Sequence, residues 1–145
     1  MTVVSREIAA PADQVFAVLA DGWTYAGWVV GASRIRRVDD GFPEPGTKIH
    51  HSVGTWPMLI DDTTSVIACD PGRRLELRVR AWPLGEGVVR LTLEDNGATT
   101  TVEMEEHTVS GPAKLLPKPV ESLGLQARNR ESLRRLAFLA EGRHL

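Results

Sequence analysis

Cysteine is almost absent from this chain of 145 residues, which contains only Cys69. A single cysteine excludes an intrachain disulfide and a cysteine-based zinc cluster. Long apolar runs are lacking too, because no segment approaches the ~20 apolar residues of a membrane-spanning helix. The N-terminal segment is too charged, and its apolar run too short, for a signal peptide. We therefore expect a soluble, cytoplasmic protein with no membrane span.

An excess of positive charge is also lacking. The chain has 17 lysines and arginines against 19 acidic residues, and a net charge of −2. This balance does not favour a nucleic-acid partner, which usually requires a basic domain. Arginine is far commoner than lysine, a bias expected of a GC-rich bacterial genome. The hydrophobic fraction of 42% and the length are typical of one globular domain, predicted to span residues 1–145.

Familiar catalytic and cofactor motifs are missing. There is no GxSxG, P-loop, GxGxxG or Cys–His nucleophile pattern. His50 and His51 are adjacent, but neighbouring residues of a strand point to opposite faces and cannot bind one metal ion together. The sequence therefore assigns no catalytic residue, no cofactor and no metal site.

The pattern of apolar residues predicts one strand, two helices, six strands and a long helix. Residues 2–8 form the first strand, Pro11 begins a helix that ends at Asp21 and Gly22, and residues 23–29 form a short second helix. The six strands are predicted at residues 33–38, 47–54, 59–69, 73–81, 87–95 and 98–107, with Gly- and Pro-rich breaks between them. The final helix, over residues 120–141, carries an apolar stripe comprising Val120, Leu123, Ala127, Leu133, Leu136, Ala137 and Ala140.

This order favours an α+β fold. Consecutive strands with short turns are typical of an antiparallel meander, and only a sheet is available to cover the apolar stripe of the long helix. We predict a curved antiparallel seven-stranded sheet wrapped around the C-terminal helix, with two short helices after the first strand.

The dipeptide Asn96-Gly97 favours a hairpin with a two-residue type I′ turn. That turn places Arg90 opposite Glu103 and Val89 opposite Met104. Counting onward, Glu106 faces inward, opposite Gly87. The preceding hairpin predicts two further ion pairs, Glu76 opposite Arg90 and Arg80 opposite Glu86.

Two polar residues are predicted to face inward, each with two interpretations. Glu106 is either a strand-end glutamate that reaches solvent or a loop amide, or a polar anchor at the mouth of a cavity. His51 shares a face with Ile49 and is either a hydrogen-bonded core residue or an acid/base group. The alternation near Asp61 and Asp62 does not show which of the two faces inward.

Several segments together resemble one superfamily. They are "APADQVFAVLAD" at 10–21, the Tyr25 and Trp28 pair, "DPGRRLELRV" at 70–79, "GATTTVEMEEHTVSGP" at 97–112, and the terminal helix. The chain resembles the SRPBCC, or START-like, superfamily of birch-pollen-allergen-like proteins, and within it the polyketide cyclase/dehydrase-like subgroup. Gly22 and Trp23 depart from the family pattern, in which a proline and a polar residue are common there.

The resemblance implies a helix-grip fold that encloses an apolar cavity between the sheet and the C-terminal helix. Tyr25 and Trp28 then either wall this cavity or pack a short helix on the sheet. The residues expected to bind a ligand are Tyr25, Trp28, His51, Val53, Trp56, Leu77, Leu91, Met104, Glu106 and Leu123.

Two functions follow from the resemblance. The first is binding or transport of a small hydrophobic or aromatic ligand of the lipid, polyketide or isoprenoid type. The alternative is a polyketide cyclase or dehydratase in which Glu106 or His51 moves protons. The sequence indicates neither the identity of the ligand nor the oligomeric state.

Overall fold

A computed structural model describes residues 2–30, 32–53, 60–81 and 85–142, without the side chains at 33, 53, 60, 81 and 113. Seven strands form one antiparallel sheet in the order β1-β7-β6-β5-β4-β3-β2. Their bounds are β1 (Thr2–Ile8), β2 (Ala32–Val38), β3 (Lys48–Val53), β4 (Ile60–Asp70), β5 (Arg74–Ala81), β6 (Gly85–Asp95) and β7 (Thr100–Ser110). The last six strands form the predicted meander, and β1 pairs with β7.

The helices lie before and after the meander. They are α1 (Ala12–Ala20), α2 (Tyr25–Trp28) and α3 (Lys118–Gly142), with short 3-10 turns at Gly22–Thr24 and Pro112–Leu115. α3 packs on the sheet, which confirms the α+β helix-grip fold. No helix in the described segments is long and apolar enough to cross a membrane.

α1 begins and ends where the sequence predicts. Pro11 has a φ of −64° and directly precedes the helix, because its ring already holds the backbone angle of a first turn. Asp21 ends the helix in an extended conformation, and its carboxylate accepts a hydrogen bond from the Trp23 N–H at 3.1 Å. This contact begins the 3-10 turn that leads into α2.

The predicted apolar stripe of α3 is wrong in its first half. Val120 and Leu123 are 54% and 68% exposed. The buried residues of the helix all lie from its middle onward: Asn129, Ser132, Leu133, Leu136, Ala137 and Ala140. The helix contacts the sheet chiefly along β1, and it also contacts α1 and α2. Its N-terminal turns therefore extend past the packed region.

The predicted register of the β6–β7 hairpin is wrong by two residues. Arg90 lies opposite Glu105, not Glu103, and Leu91 lies opposite Met104. The Asn96 N–H donates to the Thr99 carbonyl at 3.0 Å, so the residues at the tip are Gly97 and Ala98. A type I′ turn needs positive φ at both central residues, whereas here only Gly97, at +87°, has one.

A shift of two residues leaves every side chain on its predicted face, because the strand period is two. Glu106 therefore faces inward as predicted and is 5% exposed, although Val89, not Gly87, lies opposite it. The β5–β6 prediction is confirmed, since Glu76 lies opposite Arg90 and Arg80 opposite Glu86.

Candidate ligand-binding site

A cavity of about 270 Å³ lies between the inner face of the sheet and the middle of α3. Residues from three parts of the fold line it. They are Tyr25, Trp28, Val29, Val30 and Ala32 from α2 and its exit, His51, Leu77, Val79, Arg80, Val89, Met104 and Glu106 from the sheet, and Arg128, Asn129 and Ser132 from α3. The walls are mostly apolar, so the few polar side chains stand out.

The aromatic side chains after α1 form one wall. Tyr25 and Trp28 are 3% and 2% exposed and meet edge to face, with ring centroids 5.6 Å apart. The Thr24 hydroxyl fixes the preceding turn by hydrogen bonds to the Val18 and Asp21 carbonyls. α2 therefore turns two of the three aromatic side chains inward, while Trp23 stays 61% exposed.

Tyr25, Thr64 and His51 form a buried polar cluster. The Thr64 hydroxyl lies 2.9 Å from the Tyr25 hydroxyl and 2.8 Å from His51 Nε2. The Tyr25 and His51 rings also stack, with centroids 5.4 Å apart. Because Thr64 has one hydroxyl proton, it can donate a hydrogen bond to only one of these two groups and accepts one from the other.

Burial keeps this cluster uncharged near neutral pH. It raises the pKa of Tyr25 to about 12, and the Thr64 hydrogen bond offsets only part of that effect. Burial also lowers the pKa of His51, against the opposing charge of Asp62. Tyr25 therefore keeps its hydroxyl proton, and His51 stays a neutral imidazole.

The structure also decides between Asp61 and Asp62. Asp62 is buried, whereas Asp61 is exposed. The Asp62 carboxylate lies 3.6 Å from Arg80 Nε, and Arg80 also pairs with Glu86 at 3.1 Å. A guanidinium group thus lies at the edge of the cavity with two carboxylates beside it.

A second polar cluster joins β7 to α3. Arg128 donates to Glu106 and, through Nε, to the Asn129 side-chain oxygen at 3.4 Å. Glu106 Oε1 and Asn129 Nδ2 have no hydrogen-bond partner in the described part of the chain. The buried carboxylate is thus neutralised by a guanidinium that is 39% exposed, which limits the cost of burying it.

Six of the ten predicted ligand-binding residues line the cavity: Tyr25, Trp28, His51, Leu77, Met104 and Glu106. Leu91 is fully buried in the core and does not line it. The placement of Leu123 on the cavity was wrong, because it lies on the exposed N-terminal part of α3. Trp56 and the side chain of Val53 lie outside the described residues.

Thr64, Arg80, Arg128 and Asn129 were missed by the sequence reasoning. The apolar stripe of α3 is interrupted just before Leu133 by Arg128, Asn129 and Ser132. This interruption was the sequence signal for polar cavity residues on the helix. Among the described residues, no three His, Cys, Asp or Glu side chains are grouped to hold a metal ion.

The comparison with known families agrees with this architecture. A sequence model of the family described as "Polyketide cyclase / dehydrase and lipid transport" matches residues 2–141. The chain belongs to this family. The resemblance inferred from the sequence is thereby confirmed, and the family description covers both a catalytic and a transport role. No curated protein matches the chain.

Solved structures of the same fold come from varied proteins. The Zhui aromatase/cyclase from a Streptomyces species is 20% identical with a TM-score of 0.67, covering 99% of this chain and 94% of that one. Protein NE0264 from Nitrosomonas europaea is 19% identical with a TM-score of 0.67, at 98% and 94% coverage. Ara h 8.0201 is 15% identical with a TM-score of 0.66, at 97% coverage of both chains. At these identities the likeness concerns the fold alone.

Proposed function

We propose that this protein binds a small hydrophobic or aromatic molecule, of the lipid, polyketide or isoprenoid class, in the cavity between sheet and α3. The observation that carries the proposal is an apolar cavity with polar groups at two places, Tyr25–Thr64–His51 and Glu106–Arg128. Ligand sites are typically concave and mainly apolar, with a few polar groups that orient the ligand.

The cavity walls indicate what would supply affinity. Trp28, Leu77 and Met104 are each less than 5% exposed, and all three line the cavity. Burying apolar ligand surface contributes about 25 cal/mol per Å² before the cost of immobilising the ligand. The polar clusters would then select the orientation of a ligand that carries a hydroxyl or carbonyl group.

A titration with aminoanthracene, an uncharged fluorescent aromatic amine, tests the binding proposal. Val79 lines the cavity, so Val79→Phe should fill space and weaken binding by at least about tenfold. Val88 is on the neighbouring strand β6 and faces the opposite side of the sheet, so Val88→Phe is the matched control. The proposal is wrong if the wild type shows no saturable binding or if all three proteins bind equally.

Polyketide cyclisation or dehydration is the second candidate function. The observation that favours it is a neutral His51 and a buried Glu106 on the walls of one cavity. Either could remove a proton from the carbon between two carbonyl groups, so that the enolate attacks a third carbonyl and the new alkoxide takes up a proton. Loss of water from the product would need the same proton transfers.

Glu106→Gln separates the two functions. Glutamine keeps the size of the side chain and an acceptor for Arg128, but it cannot exchange a proton. If Glu106 is the acid or base, turnover of a poly-β-keto mimic should fall on the order of 10²–10⁴-fold while affinity persists. A binding protein should show no turnover in either form and an affinity change of about 0.5–1.5 kcal/mol.

A further inference from the structure

A second hollow, of about 400 Å³, lies beside the cavity, under the N-terminal half of α3. We call it the outer groove; it is lined by the ends of β5–β7, by Pro112 and Leu116, and by Val120, Glu121, Gly124, Leu125 and Arg128 of α3. Val79, Glu106 and Arg128 line both hollows. The Glu106–Arg128 ion pair therefore lies on the boundary between them.

The outer groove has exposed apolar walls. Leu116 and Val120 line it, yet they are 48% and 54% exposed. Neighbouring apolar side chains left open to solvent beside a cavity are typical of a surface that a ligand or partner covers. The volume of the inner cavity alone leaves room for about nine atoms or groups, each the size of a water molecule.

We propose that the two hollows are one continuous site for an elongated, mainly apolar molecule. Its inner part lies on Trp28 and Met104, and its outer part covers Leu116 and Val120. The molecule passes the Glu106–Arg128 pair at the boundary. This inference rests on the proposed binding function and specifies the shape of the ligand.

The charges around the outer groove favour an uncharged outer end. Among the described residues, Glu86, Glu106 and Glu121 line the groove, against one basic residue, Arg128. Glu106 already engages Arg128, and Glu86 is paired with Arg78 and Arg80. Among the described lining residues, an anionic head group would meet no guanidinium that is not already engaged by a carboxylate, whereas a hydroxyl group would meet carboxylate acceptors. The ligand class is therefore a long neutral alcohol or a similar isoprenoid-like molecule.

Gly124 offers a way to fill the outer groove alone. It lines the groove within α3, and a Cβ atom added to it would meet nothing within 4 Å. Gly124→Leu should therefore fit without strain, and it replaces a poor helix former with a good one. Ala127→Leu, at an exposed position of the same helix outside both hollows, is the matched control.

The experiment measures displacement of aminoanthracene by straight-chain alcohols from hexanol to dodecanol. In the wild type and in Ala127→Leu, affinity should rise up to about fourfold per added methylene through the whole series. In Gly124→Leu, affinity should rise to about octanol or nonanol and then level off. Decanol should also bind more tightly than decanoate in the wild type.

The possible failures are distinguishable. If aminoanthracene and hexanol do not bind to the wild type, the proposed binding function is wrong. If hexanol binds but affinity levels off at octanol in the wild type, the continuous site is wrong and the inner cavity stands. If affinity rises along the alcohol series equally in wild type and in Gly124→Leu, the continuous site is also wrong. Tighter binding of decanoate than of decanol would overturn the charge argument. If Gly124→Leu does not fold, the affinities of the alcohols for the wild type alone decide whether the site is continuous.

Discussion

His51 shows at the scale of one residue how burial controls a titratable group in this cavity. Its side chain is 1% exposed, and Nε2 is bonded to the Thr64 hydroxyl. Burial lowers the pKa of His51. The charge of Asp62 opposes this lowering, and the charges of Arg36 and His50 add to it. A neutral imidazole beside a protonated phenol suits a site that binds an uncharged ligand.

The lowered pKa of His51 predicts a loss of stability on acidification. Below its ordinary value of 6.5, the unfolded chain takes up a proton that the folded chain resists. The free energy of unfolding should therefore fall as the pH drops from about 7 to 5. Urea unfolding at several pH values measures this effect in wild type, in His51→Gln and in His107→Gln, which changes an exposed histidine.

His107→Gln is the control for the loss of one histidine, so the test compares the two variants with each other and with the wild type. His51→Gln should be less stable at pH 7, by about 1 kcal/mol for the lost hydrogen bond, and should lack part of the acid-induced loss. An identical slope against pH in all three proteins would show that His51 already titrates normally in the folded state.

The inward facing of His51 and Glu106 was predictable from the sequence because strand alternation is a local property. Their partners were not. Thr64 and Arg128 reach them from other elements, and no local pattern shows which residue of α3 meets which strand. Asp62 gave no signal either, since polar residues stand on both faces of β4 around it.

At the scale of elements, α3 consists of two parts with different roles. From Asn129 onward the helix is anchored in the core, and the Ala9 N–H donates to Glu141 near its end. Its N-terminal turns carry the exposed Val120 at the outer groove and the exposed Leu123 outside it. Apolar periodicity predicted one continuous stripe, because it cannot show where along the helix the sheet contact stops.

Two leucine truncations on α3 test this division. Leu136 is 0% exposed and Leu123 is 68% exposed. Leu136→Ala should lower the free energy of unfolding by about 2–5 kcal/mol, because it leaves a cavity in the core. Leu123→Ala should stay within about 0.5 kcal/mol of wild type. Similar losses in urea unfolding would mean that both halves of the helix pack alike.

The β6–β7 turn explains why its register was mispredicted. Asn-Gly is a strong signal for the tip of a hairpin, but here Asp95 accepts a hydrogen bond from the Gly97 N–H and Asn96 donates to the Thr101 hydroxyl. These side-chain contacts favour the tip one residue further on, at Gly97 and Ala98. Such competition between side chains is not visible in a dipeptide signal.

The positive φ of Gly97 allows a second test at this scale, of the conformation of the β6–β7 turn. A Cβ at Gly97 would meet nothing within 4 Å, so Gly97→Ala should act through backbone conformation alone and destabilise by about 1–2 kcal/mol. Gly124→Ala, at a helical glycine with equally open surroundings, should instead stabilise by about 0.5–1 kcal/mol. Thermal unfolding of both variants measures the contrast, and effects of the same sign would argue against the turn described here.

At the scale of the whole molecule, the cavity results from the way α3 leans on the sheet. The helix contacts β1 closely and the centre of the sheet little, so the inner faces of β5, β6 and β7 line open space instead of packing on the helix. The fold, the sheet and the family were predictable from strand order and motif spacing. The size of the cavity was not, because it depends on where a long helix rests on a curved sheet.

Locating a bound ligand tests the central claim most directly. Met104 lies on the cavity wall, 4% exposed, and Met104→Leu would assign its methyl resonance. In methionine-methyl-labelled protein saturated with aminoanthracene, we expect intermolecular nuclear Overhauser effects between the ring protons of the ligand and the Met104 methyl group. Saturable binding without any Overhauser effect at the Met104 methyl group would contradict a ligand site between the sheet and α3.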